Sequence, residues 1–155
     1  MKLTDYMDQG LIYADFNAED KAGLLGALAA LVSERFPQVS HDELRQKLSQ
    51  REAAGSTGIG HGVAIPHATI EGLPGTVCML ICIRKGIRFD AIDQQPVHLI
   101  FLLVSPPGEI GLHIKLLARI ARLIKNEQFL NAVATSCDAK ELHRLIAEED
   151  NRHVE

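Results

Sequence analysis

A chain of 155 residues, 46% hydrophobic and 23% charged, has the size and composition of one globular domain with its own core. A formal net charge of -4 and the lack of tryptophan argue against a general nucleic-acid-binding protein, whose surface would be basic. No run of ~18 apolar residues predicts a membrane span, and the N-terminus lacks the apolar core of a signal peptide. Three cysteines in such a chain do not indicate a disulfide framework, so we expect one cytoplasmic domain over residues 1–155.

Two helices are predicted in the first third of the chain. The segment NAEDKAGLLGALAALVSERF starts at Asn17, a suitable N-cap, and repeats its leucines at helical spacing. The segment SHDELRQKLSQRE starts at Ser40 and has Glu43 three residues later, which is the pattern of a capping box. This second helix should end near Gly55 and leave Arg51 close to its C-terminal end.

Two apolar runs, TVCMLICI at 76–83 and VHLIFLLV at 97–104, have the length of strands and are bounded by glycine or proline. Such continuous apolar runs are typical of strands that are covered on both faces, and residues 63–65 predict a shorter strand. Three helices should follow, at residues 111–126, 127–135 and 138–149. The pattern predicts an α/β fold, a three-layer α/β/α sandwich with a central mixed β-sheet.

Several common catalytic motifs are missing from the sequence. It contains no phosphate-binding G-x-x-x-x-G-K-[ST] loop, no dinucleotide fingerprint and no G-x-S-x-G nucleophile motif. Cys78 and Cys82 share one face of a predicted apolar strand, where small buried side chains are expected.

The seven histidines divide into two groups. Four lie in ordinary surroundings. We expect three of these at the surface, namely His41, His143 and His153. The fourth, His98, should be half-buried in a strand. The other three, His61, His67 and His113, lie in apolar or glycine-rich surroundings. A zinc site is not indicated, because His61 and His67 lack helical i, i+4 spacing and no H-E-x-x-H or paired C-x-x-C accompanies them.

His67 follows Pro66, which fixes its own φ and restricts the residue before it, so the backbone at the histidine is well defined. Glycines in the preceding GSTGIGHG segment allow close backbone approach or positive φ. A nucleophilic imidazole needs a fixed tautomer, one accessible nitrogen and a partner on the other nitrogen. On the residues alone, a core or turn histidine remains the preferred interpretation of His67.

His113 and Arg51 are the other candidates. His113 lies near the start of a predicted helix and faces its inner side, where unpaired backbone N–H groups favour an anion. Arg51 offers a planar, permanently charged fork that suits an oxyanion. A solvated helix end is an equal alternative for Arg51.

Three blocks of sequence resemble one family. The segment REAAGSTGIGHGVAIPHATI is similar to the active-site segment of enzyme IIA domains of the bacterial phosphoenolpyruvate–sugar phosphotransferase system, in the fructose/mannitol and nitrogen-regulatory superfamily. The segments FDAIDQQPVHLIFLLVSP and HIKLLARIARLI resemble a strand and a helix of the same domains. The blocks occur in the family's order and spacing, over nearly the whole chain.

The resemblance implies roles for three residues. His67 matches the phosphoacceptor histidine, His113 matches a second active-site histidine that is not phosphorylated, and Arg51 matches the active-site arginine. His61 matches a variable position, Asn in many relatives, and receives no catalytic role. No cofactor and no metal are implied.

The resemblance also implies partners. His67 should receive a phosphoryl group from the phosphohistidine of an HPr-like carrier, which docks on an apolar face that GVAIP and residues 89–92 are expected to supply. A regulatory acceptor of the nitrogen-regulatory kind is favoured. A sugar-specific component that passes phosphate to a IIB component, and a regulatory binding module without phosphotransfer, remain alternatives.

Overall fold

The computed structural model describes residues 2–136 and 138–153, so Cys137 lies outside the described residues. A mixed sheet forms the centre of the molecule, and its longest strands are β5 (Val77–Ile87) and β6 (Val97–Ser105), which pair antiparallel. The shorter strands are β1 (Ile12–Tyr13), β2 (Gly58–Gly60), β3 (Val63–Ala64) and β4 (His67–Thr69). The strand order is β1-β5-β6-β3-β2, and β4 also pairs with β6.

The two long strands confirm the prediction from the apolar runs. Nearly all side chains of β6 and the first seven of β5 are buried, as expected for strands that are covered on both faces. β5 continues four residues beyond the predicted end at Ile83. After an irregularity in the register that contains Gly86, with a φ of 73°, Ile87 pairs with Val97.

The strand that carries His67 is one parallel partner of β6, interrupted at its centre. Val63 pairs with Leu99 and His67 pairs with Leu103, so both halves keep the same offset from β6. Pro66 lies in the gap, where a residue without a backbone N–H cannot donate to the sheet, but its carbonyl still accepts from Leu103 N–H at 3.0 Å. The interruption therefore separates β3 from β4 without changing the register that places His67.

The first two helices lie close to their predicted bounds. α1 (Lys21–Arg35) begins later than expected, because Asp20 and not Asn17 is the N-cap and accepts from Gly23 N–H at 2.7 Å. α2 (His41–Ala54) has the predicted cap, since Ser40 Oγ accepts from Glu43 N–H at 3.2 Å. Gly55 follows as the C-cap, as predicted.

Three helices complete the chain: α3 (Ile110–Leu123), α4 (Glu127–Thr135) and α5 (Ala139–Asn151). α3 ends before the predicted residue 126, because Asn126 instead caps α4 by accepting from Gln128 and Phe129 N–H. α1 packs on α2, and α5 packs on α3 and α4, so two helical layers enclose the sheet and the predicted three-layer fold is confirmed. Within the described ranges, no helix has the length and apolarity that crossing a bilayer requires.

Candidate active site

The structure brings together three residues that the sequence singled out. His67 begins β4, Arg51 lies in the last turn of α2, and His113 lies in the first turns of α3. The rings of His67 and His113 meet edge to face, with centroids 5.5 Å apart and an interplanar angle of 65°. Arg51 Nε–H donates to His67 Nε2 at 3.3 Å. All three side chains line one open cleft.

The hydrogen bonds of His67 define its tautomer. Nδ1 lies 2.9 Å from the carbonyl oxygen of Ile65, and a carbonyl oxygen can only accept, so Nδ1 carries the proton. Nε2 therefore has the lone pair, which agrees with the N–H that Arg51 directs at it. Ile65 lies two residues before His67, across Pro66, so the imidazole is held by the backbone of its own segment. The arrangement leaves Nε2 as the ring nitrogen without a proton.

Arg51 is held at two points of its guanidinium group. Nη1–H donates to the carbonyl oxygen of Gly55 at 2.8 Å, one turn further along, while Nε–H faces His67. The first bond satisfies a carbonyl group at the end of α2. A guanidinium group has five N–H donors in a rigid plane, so others remain to bind an oxyanion beside Nε2.

The residue next to Arg51 anchors the segment that leads to His67. Glu52 is 7% exposed and accepts hydrogen bonds from the backbone N–H and the hydroxyl group of Thr57. Its carboxylate also pairs with Lys21 Nζ at 3.0 Å. Thr57 in turn accepts from Ile65 N–H at 3.1 Å through its backbone carbonyl. The end of α2 and the backbone before His67 are thus tied to one buried carboxylate.

His113 is only 4% exposed, and its Nδ1 lies 2.7 Å from Ser105 Oγ. Burial lowers the pKa of His113 below its usual value, and the charge of a protonated His67 lowers it further. The backbone N–H of His113 itself donates to the carbonyl oxygen of Glu109 at 3.0 Å. His113 can therefore contribute to anion binding only through its imidazole ring.

His61 is a turn residue. Gly60 pairs with Val63 across an antiparallel hairpin, and His61 and Gly62 form its two-residue loop with φ values of 57° and 78°. Two positive φ values are typical of a type I′ hairpin turn. The side chain of His61 is exposed and lines a different cavity, together with His98. His98 is exposed as well, and not half-buried as expected.

The apolar rim of the cleft comes from a part of the chain that the sequence analysis did not identify. Ile110 and Ile114 are 59% and 60% exposed, and both line the cleft beside His113. The expected contribution of GVAIP is wrong, because the side chains from Val63 to Pro66 are buried. In the 89–92 segment Ile92 is 81% exposed, but Phe89 and Ala91 are buried. The i, i+4 spacing of two isoleucines off the buried stripe of α3 is the signal that marks this rim.

The cysteines and potential metal ligands add no second centre to the described ranges. Burial raises the pKa of the Cys82 thiol to about 11 and raises that of Cys78 further, so both remain protonated and unreactive. Among residues 2–136 and 138–153, no three His, Cys, Asp or Glu side chains converge on a point that could hold a metal ion.

Comparisons with known proteins point to one family. Residues 5–149 match the family model of the phosphoenolpyruvate-dependent sugar phosphotransferase system, EIIA 2. A nitrogen regulatory protein of Bradyrhizobium diazoefficiens is 34% identical over 147 residues, which are 95% of each chain. The fructose-specific EIIABC component of Bacillus subtilis is 24% identical over 128 residues, 83% of this chain and 20% of that protein.

A solved structure shows the same fold. The nitrogen regulatory protein IIA-Ntr of Neisseria meningitidis superimposes with a TM-score of 0.85 at 30% identity, over 92% of this chain and 97% of that chain. The family match, the relatives and the fold lead to one conclusion. The chain belongs to the EIIA 2 family of the phosphoenolpyruvate-dependent sugar phosphotransferase system.

Proposed function

We propose that this chain is a phosphocarrier of the nitrogen-regulatory type that accepts a phosphoryl group on Nε2 of His67 from the phosphohistidine of an HPr-like protein. The observation that carries the proposal is the fixed tautomer of His67. The Ile65 carbonyl oxygen accepts from Nδ1–H at 2.9 Å, and Nε2, whose lone pair accepts from Arg51 Nε–H at 3.3 Å, belongs to a side chain that lines the open cleft. Such an imidazole needs no general base before it attacks.

The transfer exchanges one phosphorus–nitrogen bond for another. The lone pair of His67 Nε2 forms a bond to phosphorus while the bond to the donor imidazole breaks, and the donor nitrogen keeps the electron pair. Because both partners are imidazoles, the step is nearly isoenergetic and reversible. Positioning and charge stabilisation dominate such transfers. Arg51 and His113, whose ring lies 5.5 Å from that of His67, would contact the phosphoryl oxygens.

The rim of the cleft suits a protein donor. Ile110 and Ile114 present apolar surface next to the nucleophile, and Lys47 and Arg51 bring positive charge from α2. Apolar contacts of this kind seat a partner and exclude water from the reacting groups.

Phosphate uptake tests the proposal directly. The wild type, incubated with phosphoenolpyruvate, enzyme I and HPr, should acquire acid-labile phosphate, and His67→Ala should acquire none. The matched control is His61→Ala, which removes an exposed histidine six residues away and should be labelled like the wild type. Equal labelling of His67→Ala and the wild type, or an unlabelled wild type, would contradict the proposal.

A nitrogen-regulatory role is favoured over a sugar-specific one because the nitrogen regulatory relative matches along 95% of its length at higher identity. The fructose-specific relative corresponds to this chain over only 20% of its own length. Efficient transfer from the phosphorylated chain to the IIB component of a fructose or mannitol permease would decide for the sugar-specific alternative. Retention of the phosphoryl group would support the regulatory role.

A further inference from the structure

A chain of hydrogen-bonded side chains leads from His113 away from the cleft. His113 Nδ1 lies 2.7 Å from Ser105 Oγ, and Ser105 Oγ lies 3.1 Å from Thr76 Oγ1. Thr76 Oγ1 lies 2.7 Å from Glu109 Oε1, which also accepts from the backbone N–H of Thr76 at 3.0 Å. Ser105 is fully buried and Thr76 is 6% exposed, so little water competes for the two hydroxyl groups.

The Glu109 carboxylate, at the end of this series of hydrogen bonds, sets the direction of each bond in it. A carboxylate can only accept, so the single hydroxyl proton of Thr76 points to Glu109. Thr76 Oγ1 is then left to accept from the hydroxyl group of Ser105, whose own oxygen accepts from Nδ1–H of His113. In this arrangement each proton is used once and each contact is a hydrogen bond. His113 keeps its proton on Nδ1.

The backbone brings these four residues together from three elements. Ser105 ends β6, Thr76 precedes β5, and Glu109 is the N-cap of α3, one helical turn before His113. The Glu109 side chain makes no capping bond to its own helix. Its carboxylate is directed to Thr76 instead, although an N-cap acid would ordinarily accept from the first turn of the helix.

We propose that Glu109 is a positioning residue, which acts through Thr76 and Ser105 to orient His113 and to stabilise its imidazolium form when a phosphoryl group is present on His67. The inference rests on the proposed function of His67. A carboxylate behind a histidine fixes its tautomer and stabilises its cation in the same way in serine proteases, although there the contact is direct.

The charges around His113 explain why its imidazolium form needs a negative charge to stabilise it. Arg51 and Lys47 on α2 line the same cleft, and their positive charge opposes a positive charge on His113. Burial, and then the charge of a protonated His67, also lower the pKa of His113, which favours its neutral form in the free protein. An incoming phosphoryl group adds about two negative charges, so His113 can take a proton from water on Nε2 and donate it to a phosphoryl oxygen. Glu109 contributes the negative charge on the opposite side of the ring.

Glu109→Gln tests the inference with little change in shape, since the glutamine carbonyl can still accept from Thr76. Measured by NMR, the pKa of His113 should fall in the unphosphorylated and the phosphorylated protein. Transfer from phosphorylated HPr should slow by about tenfold, less than the ~10⁴-fold that loss of a directly bonded carboxylate costs a serine protease. Glu34→Gln, which removes an equal charge from an exposed position on α1, is the matched control and should change neither quantity.

Ser105→Ala separates a relay from a general charge effect. In the Ser105→Ala background, Glu109→Gln should produce no further slowing and no further fall in the pKa of His113. Equal effects of Glu109→Gln with and without Ser105, or an unchanged pKa of His113, would overturn the inference. Failure of the proposed function would look different, since the wild type would take up no phosphate while Glu109→Gln still lowered the pKa of His113.

Discussion

The segment from His61 to His67 has a histidine at each end, and the structure holds these two residues in opposite ways. His67 is held at both ring nitrogens, by the Ile65 carbonyl and by Arg51. His61 is exposed at the tip of a hairpin, and its backbone N–H, not its ring, bonds to Asp93 at 3.1 Å. Glycine lies beside His61, whereas Pro66 precedes His67. The two histidines thus differ in how completely their surroundings fix the side chain.

Arg51→Ala would remove the side chain that contacts His67, and it should give the largest effect. It removes the guanidinium group from the proposed position of the phosphoryl oxygens, so the rate of phosphoryl transfer should fall by roughly 10²–10³-fold. Arg51→Lys keeps the charge but not the rigid fork that reaches both Gly55 and His67, so its rate should be intermediate. Single-turnover transfer from phosphorylated HPr measures both rates.

Arg144→Ala is the control for Arg51→Ala. Arg144 forms surface ion pairs with Glu141 and Glu148 within α5, and its loss should leave the transfer rate unchanged. A transfer rate of Arg51→Ala within twofold of the wild type would show that the guanidinium group has no part in the reaction.

The sequence predicted the long elements around His67 better than the hairpin at His61. Apolar runs and cap residues located the long strands and α2, because these signals depend on neighbouring residues. The hairpin at His61 was not predicted, since it depends on two positive φ values and on a pairing between strands of two or three residues. Those strands are too short to show a hydrophobic period.

The family resemblance brought Arg51, His67 and His113 into one site, but other contacts between distant residues were not predictable from the sequence patterns. The bond between Thr76 and Glu109 joins residues 33 positions apart, and neither residue belongs to a motif. Ser105 closes an apolar strand and resembles an ordinary strand end, yet it contacts His113. The exposed isoleucines of α3 were overlooked for a related reason, because the apolar face of a helix is ordinarily assigned to the core.

Glu52→Gln would weaken the anchor of the segment that carries both histidines, and it should have the next largest effect. The buried carboxylate pairs with Lys21 and accepts two hydrogen bonds from Thr57. Its neutralisation leaves the Lys21 charge, 20% exposed, without its partner, so the free energy of unfolding should fall by about 2 kcal/mol. Urea denaturation monitored by circular dichroism measures this change.

An exposed ion pair provides the matched control for Glu52→Gln. Glu19 pairs with Lys85 at 2.9 Å, but its side chain is 89% exposed. Glu19→Gln should therefore lower the free energy of unfolding by less than about 0.5 kcal/mol. If the two variants unfold at the same urea concentration, Glu52 does not anchor the segment.

His61→Asn would favour the hairpin turn at position 61. It should give the smallest effect, and it should stabilise the protein where Glu52→Gln destabilises it. His61 has a φ of 57°, which costs most side chains energy, and Asn followed by Gly is the favoured pair for a type I′ turn. The free energy of unfolding should rise by roughly 0.5 kcal/mol, and phosphate uptake should remain that of the wild type. His98→Asn changes an exposed histidine in β6, outside the left-handed region, and should bring no such gain. A loss of phosphate uptake in His61→Asn would mean that His61 takes part in the reaction and that the contrast between the two histidines is false.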